Sequence, residues 1–78
     1  MPRVPVISGQ EAIRVFERIG YRIARQRGSH IRLRDDQDEK HQPLTIPSHK
    51  RLKPGLLRSL IRDANLIVDE FVALSRQR

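Results

Sequence analysis

Cysteine and tryptophan are absent from this sequence of 78 residues, and aromatic residues make up only 4% of it. Without cysteine the chain can form no disulfide scaffold, no thiolate zinc site and no cysteine nucleophile. No apolar run approaches the roughly 18 residues that cross a membrane. Residues 1–7 are interrupted by two prolines and are too short for a signal peptide. We therefore expect a cytoplasmic protein that has no membrane partner.

Acidic residues are also few, since 9 Asp and Glu stand against 16 Lys and Arg, for a net charge of +7. Such an excess favours a polyanionic partner, nucleic acid before membrane. The first 34 residues carry eight Arg and two Glu, whereas residues 35–41 carry four acidic side chains and one Lys. This acidic segment has no apolar residue, which predicts an exposed loop between two basic regions. The length fits a single domain over residues 1–78.

Apolar spacing of three to four residues predicts three helices. The first is expected over about residues 9–19, because Ser8-Gly9-Gln10-Glu11 forms a capping box at its start and Gly20 can end it. The second is expected over about residues 54–64, since Pro54 suits a first helical turn. A shorter third helix is expected over about residues 68–76.

Alternation of apolar and polar residues predicts three strands, at about residues 21–26, 30–34 and 44–46. Gly28 can adopt the positive φ of a hairpin turn between the first two strands. Alternation puts Tyr21 and Ile23 on one face of the first strand, and Arg22 and Gln26 on the other. The expected apolar face of the sheet consists of Ile23, Ile31, Leu33, Leu44 and Ile46.

The predicted order α-β-β-β-α-α indicates an α+β fold, a two-layer α-β-β-β-α sandwich with a three-stranded antiparallel sheet and an extra short C-terminal helix. Two helices with apolar stripes can cover the apolar face of that sheet. The other face stays open to solvent and carries His30, Arg32 and Arg34.

His30 is the candidate for acid–base chemistry. An imidazole exchanges protons near neutral pH, and RNA carries its own nucleophile, the 2′-hydroxyl. A protein that cleaves RNA must deprotonate this hydroxyl, stabilise the charge on phosphorus and protonate the leaving oxygen. The residues alone favour a solvated histidine at a hairpin, or one that stacks on RNA without chemistry, over a catalytic one. His49 is a second acid–base candidate that ranks below His30.

Basic residues surround the hairpin and precede the second helix. Arginine forks match phosphate oxygens, so Arg25, Arg27, Arg32 and Arg34 are candidate contacts for a nucleic-acid backbone. Lys50 and Lys53 come just before a helix N-terminus, which favours anions. The alternative is that both regions are solvated surface. No pair of histidines has metal-binding helical spacing and the acidic segment lacks the EF-hand pattern, so we expect no metal and no cofactor.

Several stretches together resemble the HicA family of small toxins, whose fold is like the double-stranded-RNA-binding domain. The most specific combination is Gly28-Ser29-His30, Pro47-Ser48-His49 and Lys53-Pro54-Gly55. The resembling stretches are residues 6–9, 20–21, 25–30, 46–49, 52–59 and 65–71. Two departures are Leu56, where the family often has Thr, and Ile67, where it often has a Ser cap, so the third helix could begin irregularly.

The resemblance implies a toxin of a type II toxin–antitoxin pair that acts in the stress response as a messenger-RNA endonuclease, an mRNA interferase. It implies RNA and a HicB-type antitoxin as partners, and His30 as the catalytic residue. Together with the charge pattern, it implies RNA contacts by Arg25, Arg27, Gly28, Ser29, Arg32, Lys50 and Lys53.

Two readings from other classes stay open beside the enzyme. A non-catalytic RNA-binding module would explain the charge, the hairpin and the start of the second helix, but it leaves His30 without a task. A DNA-binding regulator is suggested by the helix-turn-helix-like spacing of the last two helices. Its recognition helix would begin with Asp69 and Glu70, which would repel DNA.

Overall fold

A computed structural model describes residues 3–77 and contains six elements in the predicted order. The elements are α1 (Gly9–Glu17), β1 (Arg22–Arg27), β2 (His30–Arg34), β3 (Leu44–Pro47), α2 (Pro54–Asp63) and α3 (Val68–Ser75). The strands form one antiparallel sheet in the order β1-β2-β3. The predicted α+β fold, like that of a double-stranded-RNA-binding domain, is confirmed.

The hydrophobic core lies between one face of the sheet and the helices. Four of the five expected sheet residues are fully buried there, and Phe16 of α1 packs 5.2 Å from Phe71 of α3, measured between ring centroids. Among the described residues the core contains no charged residue. The core consists of Ala12, Ile13, Val15, Phe16, Tyr21, Ile31, Leu33, Leu44, Ile46, Leu52, Leu57, Leu60, Ile61, Ala64 and Phe71.

The first helix begins as predicted and ends earlier. The Ser8 hydroxyl accepts a hydrogen bond from the Glu11 amide, and the Glu11 carboxylate accepts one from the Ser8 amide, both at 3.1 Å. The helix ends at Glu17 rather than near residue 19, because the chain turns towards Gly20, whose φ is +115°. A Cβ at Gly20 would lie 2.5 Å from an oxygen of Asp35, so a larger residue there would also have to displace that carboxylate.

The two C-terminal helices are each slightly shorter than predicted. Ala64 caps α2 instead of belonging to it, and Asn65 follows with a φ of +58°. The irregular start expected for α3 does not occur. The Glu70 carboxylate accepts a hydrogen bond from the Ile67 amide at 2.9 Å. This half of a capping box needs no Ser side chain at position 67, and α3 begins at Val68 as predicted.

Two predictions for β1 are wrong. Ile23 is 49% exposed, although it lies opposite Leu33 on the helix side, because β1 is an edge strand that the helices do not cover. Gln26 was expected on the face opposite Ile23 but lies opposite Ile31, on the same side. The cause is a β-bulge at Ala24, the extra residue between the Ile23 and Arg25 pairs.

The acidic segment is less exposed than predicted. The Asp35 carboxylate lies 2.9 Å from the His41 ring nitrogen Nδ1, and its side chain is only 4% exposed. This hydrogen bond is the largest cause that lowers the pKa of Asp35. His41 stacks on Tyr21, whose hydroxyl donates to the Gln42 carbonyl at 2.7 Å, and burial raises the pKa of Tyr21. The segment is therefore partly folded onto the end of β2 that is remote from the hairpin.

Candidate functional site

The open face of the sheet carries a regular array around His30. Side chains directly opposite each other in an antiparallel sheet point to the same face. His30 lies opposite Arg27 on β1 and Pro47 on β3, while Arg32 lies opposite Arg25 and Thr45. Four of the predicted site residues are thus in adjacent positions. We call Arg25, Arg27, His30, Arg32 and Thr45 the open-face array.

The open-face array lines a shallow cavity of about 160 Å³. His30 is exposed at the start of β2, and Arg32 is half-buried two residues further on. The Arg32 guanidinium donates a hydrogen bond to the Thr45 hydroxyl at 2.8 Å. The cavity therefore combines one imidazole, three guanidinium groups and one hydroxyl.

The face of the array is fixed by the hairpin turn. Arg27 pairs with His30 across the two-residue loop, in which Gly28 has a φ of +59°. Since side chains alternate along a strand, this pairing also puts Arg25 on the open face. Ile23, by contrast, pairs with Leu33 on the helix side. The bulge at Ala24 adds one residue between these two halves of β1. Ile23 can therefore face the helices while Arg25 and Arg27 face the open side.

The charges of the array are not neutralised within residues 3–77, where neither Arg25, Arg27 nor Arg32 forms an ion pair with a carboxylate. Arg22, further along β1, does pair with Asp36 at 2.6 Å. Like charges directly opposite in a sheet are unfavourable, and Arg25 faces Arg32 in this way. A bound anion would relieve that repulsion, so the geometry suits a phosphate.

The turn residues Gly28 and Ser29 hold the hairpin in place and do not line the cavity. The Gly28 carbonyl accepts a hydrogen bond from the Gln26 side chain at 3.1 Å. The Ser29 carbonyl accepts one from the Ser48 amide at 2.6 Å, which ties the turn to the end of β3. Both residues therefore have a structural role in the hairpin, and their contact with RNA stays a prediction.

The start of α1 is held against the same end of β3. The Gly9 amide donates to the His49 carbonyl at 2.9 Å, and the Gln10 side chain donates to the Ser48 hydroxyl at 3.1 Å. A Cβ at Gly9 would lie 2.0 Å from the Pro47 carbonyl oxygen, so no other residue fits without displacement. His49 is exposed and acts here through its backbone, outside the cavity.

Lys50 and Lys53 form a second basic region that does not line the cavity. Both are exposed in the connection that leaves Ser48 and enters α2. The connection is fixed where the Leu52 amide donates to the Ile7 carbonyl at 2.9 Å. Lys53 is the N-cap residue of α2, and no side chain caps the first turn of this helix. The lysines therefore lie beside free N–H groups of a helix N-terminus, an arrangement that favours anions.

Within the described part of the chain, no three His, Asp or Glu side chains are arranged to hold a metal ion. No helix there has the length and apolar character needed to span a bilayer. Of the acidic segment, Asp35 and Asp38 both face His41, and Asp36 faces Arg22. These carboxylates lie at the end of β2 opposite the hairpin, away from His30.

The family model described as the HicA toxin of bacterial toxin–antitoxin matches residues 9–66. The chain belongs to the HicA toxin family. The match runs from the start of α1 past the end of α2, so this HicA chain carries its open-face array and both lysines inside the matched region. The resemblance read from the sequence is therefore confirmed. No curated protein and no solved structure matches the chain.

Sequence reasoning missed Thr45 as a member of this HicA site. Alternation along the third strand separates Thr45 from Leu44 and Ile46, which was a sign that it faces away from the core. Its position opposite Arg32 depends on the register of β3 against β2. The strand pattern alone could not supply that register.

Proposed function

We propose that this HicA toxin is a metal-independent RNA endonuclease that cleaves messenger RNA in the cytoplasm, with His30 as general acid/base. The observation that carries the proposal is the position of His30 in a cavity lined by three arginines without carboxylate partners among the described residues. A proton-exchanging group and a phosphate-binding group are thus adjacent, as RNA cleavage requires.

The chemistry follows from the substrate's own hydroxyl. Neutral His30 accepts the proton of the 2′-hydroxyl as its oxygen attacks phosphorus. The bond from O2′ to phosphorus forms and the bond from phosphorus to O5′ breaks, leaving a 2′,3′-cyclic phosphate. The protonated imidazole supplies the proton that the 5′-oxygen takes up. Arg25, Arg27 and Arg32 stabilise the extra negative charge on the phosphate oxygens, so the charge requires no metal ion.

The RNA path extends from the array to the second basic region. Arg27 lines the cavity and is followed by the turn residues Gly28 and Ser29, and the Ser29–Ser48 hydrogen bond brings the turn beside the connection that carries Lys50. Lys53 then offers a cation at the start of α2. Phosphates bound at both places would position the chain so that one 2′-hydroxyl meets His30.

The partner we propose is a HicB-type antitoxin that covers the array. A toxin of a toxin–antitoxin family has a partner that restrains it, and an acidic surface would be steered to these arginines. Carboxylates of the antitoxin would then replace the phosphates and bury His30 in one step.

A non-catalytic RNA-binding module remains the rival function, since it would use the same arginines and lysines. It differs in one respect, because it gives His30 no chemical role. A DNA-binding regulator fits less well, because Asp69 and Glu70 occupy the first turn of α3. The test must therefore separate binding from cleavage.

The experiment is inducible expression of the wild type beside His30→Ala and His49→Ala. Both histidines are exposed, so His49→Ala is a matched control for the loss of an imidazole. We expect growth arrest and RNA degradation with the wild type and His49→Ala, and neither with His30→Ala. In assays with purified protein and RNA, EDTA should leave the cleavage rate unchanged. Growth arrest and RNA degradation by the His30→Ala variant would overturn the catalytic role of His30. Strong inhibition of cleavage by EDTA would overturn the metal-independent mechanism.

A further inference from the structure

Thr45 is the one member of the open-face array that carries no charge and no proton-exchanging group. It lies in the middle of β3, opposite Arg32 and two residues before Pro47, which pairs with His30. Its side chain is exposed, and it forms one wall of the cavity. Nothing in the core requires a hydroxyl at this place.

The hydrogen bond to Arg32 fixes how the hydroxyl can act. A guanidinium group has donors only, so the Thr45 oxygen must be the acceptor at 2.8 Å. The hydroxyl proton is therefore left for a different acceptor. Within residues 3–77 no hydrogen bond uses it, and the neighbouring side chains on β1 and β2 are cations or His30. Because Thr45 is exposed and lines the cavity, this proton can be donated to solvent or to an acceptor of a ligand that enters the cavity.

We infer that Thr45 is a further substrate-contacting residue, whose hydroxyl donates to a non-bridging oxygen of the phosphate on which His30 acts. In this arrangement Arg32 contacts the phosphate and also orients the Thr45 hydroxyl towards it. The inference rests on the proposed function, which it deepens by adding a neutral donor on the third strand to the cationic ones on β1 and β2.

The structure offers a clean pair of variants. Thr45→Val keeps the β-branched shape that suits a strand and removes only the hydroxyl. Thr45→Ser keeps the hydroxyl. Because the residue is exposed, neither change leaves a buried polar group unpaired, and the thermal midpoint should stay close to that of the wild type.

The experiment measures RNA cleavage by the purified variants and RNA binding in the His30→Ala background, where the substrate stays intact. Hydrogen bonds to charged groups are strong enough that we expect Thr45→Val to lower kcat/KM about tenfold or more. Thr45→Ser should remain within about threefold. A phosphorothioate at the scissile position, which weakens the acceptor, should slow the wild type much more than Thr45→Val.

Each result bears on a separate claim. Wild-type kcat/KM and RNA affinity in Thr45→Val would overturn the inference and leave the proposed function standing. If the wild type binds RNA without cutting it, the proposed catalysis fails. Weaker binding by Thr45→Val, but not by Thr45→Ser, would then still support the phosphate contact. A wild type that neither binds nor cuts RNA would overturn both.

Discussion

Arg25 lies directly opposite Arg32 in the sheet, so two cationic side chains share the open face without a carboxylate partner among residues 3–77. Cross-strand pairs of like charge cost stability, whereas opposite charges at such positions are favourable by roughly 0.2–1 kcal/mol. A protein surface that keeps this repulsion is suited to a polyanion. The pair thus links the geometry of the sheet to the proposed RNA binding.

Replacing Arg25 by Glu should stabilise the protein and weaken its RNA binding at the same time. The new carboxylate would face Arg32, and we expect the free energy of unfolding to rise by up to about 1 kcal/mol. RNA affinity should fall, because one phosphate contact becomes a repulsion. Urea unfolding and fluorescence anisotropy measure the two effects. Arg76→Glu, at the end of α3, is the control with equal net charge, and an equal loss of affinity there would argue against a local contact.

Charge reversal of Lys50 and Lys53 should weaken RNA binding and reduce its dependence on salt. Each lost phosphate contact lowers the slope of log affinity against log salt by roughly 0.7 for single strands, or 0.9 for duplexes. The measurement is a salt titration of binding in the His30→Ala background. An unchanged slope would mean that RNA does not pass the start of α2.

The acidic segment should make stability depend on pH below about pH 4. The hydrogen bond from His41 lowers the pKa of Asp35 in the folded chain relative to its unfolded value near 3.9. Its contribution is therefore present above that value and lost as the pH falls through the folded pKa. Asp35→Asn should lower the urea midpoint at pH 6 and reduce its decline towards pH 2. The exposed Asp36 supplies the control, since Asp36→Asn should keep most of the decline.

The outcome at Asp35 also marks the limit of sequence reasoning about this chain. Helix α2 and the capping box at Ser8 follow local rules, and the sequence predicts them almost to the residue. Asp35 and His41 instead form a hydrogen bond with each other across a loop. Residue composition does not reveal that pairing. Ile23 depends on what covers an edge strand, and Gln26 depends on a bulge that only pairing with β2 defines. Of the candidate site, the arginines and His30 were within reach of sequence reasoning, while Thr45 needed the register of β3.

Binding of the antitoxin should make His30 inaccessible. Co-expression with a neighbouring antitoxin reading frame should yield a complex that copurifies and does not cleave RNA. Diethyl pyrocarbonate should modify His30 in the free toxin and not in the complex, and modification of both states at equal rates would exclude direct occlusion. Arg27→Glu should weaken the complex, since opposite potentials drive its formation. The solvent-exposed His49 gives a second reactive site in the free toxin for comparison.

The most direct test of the central claim compares purified wild type and His30→Ala on one RNA, with cleavage rate and binding affinity measured side by side. A positioned acid–base group contributes about 10²–10⁴-fold to a rate. His30 is exposed, so its loss should leave folding and RNA affinity nearly unchanged. The account predicts a cleavage rate at least 100-fold lower, by that same range, with similar affinity. A mutant that cuts RNA within about threefold of the wild type would contradict it, because the positioned group would then contribute almost nothing to the rate.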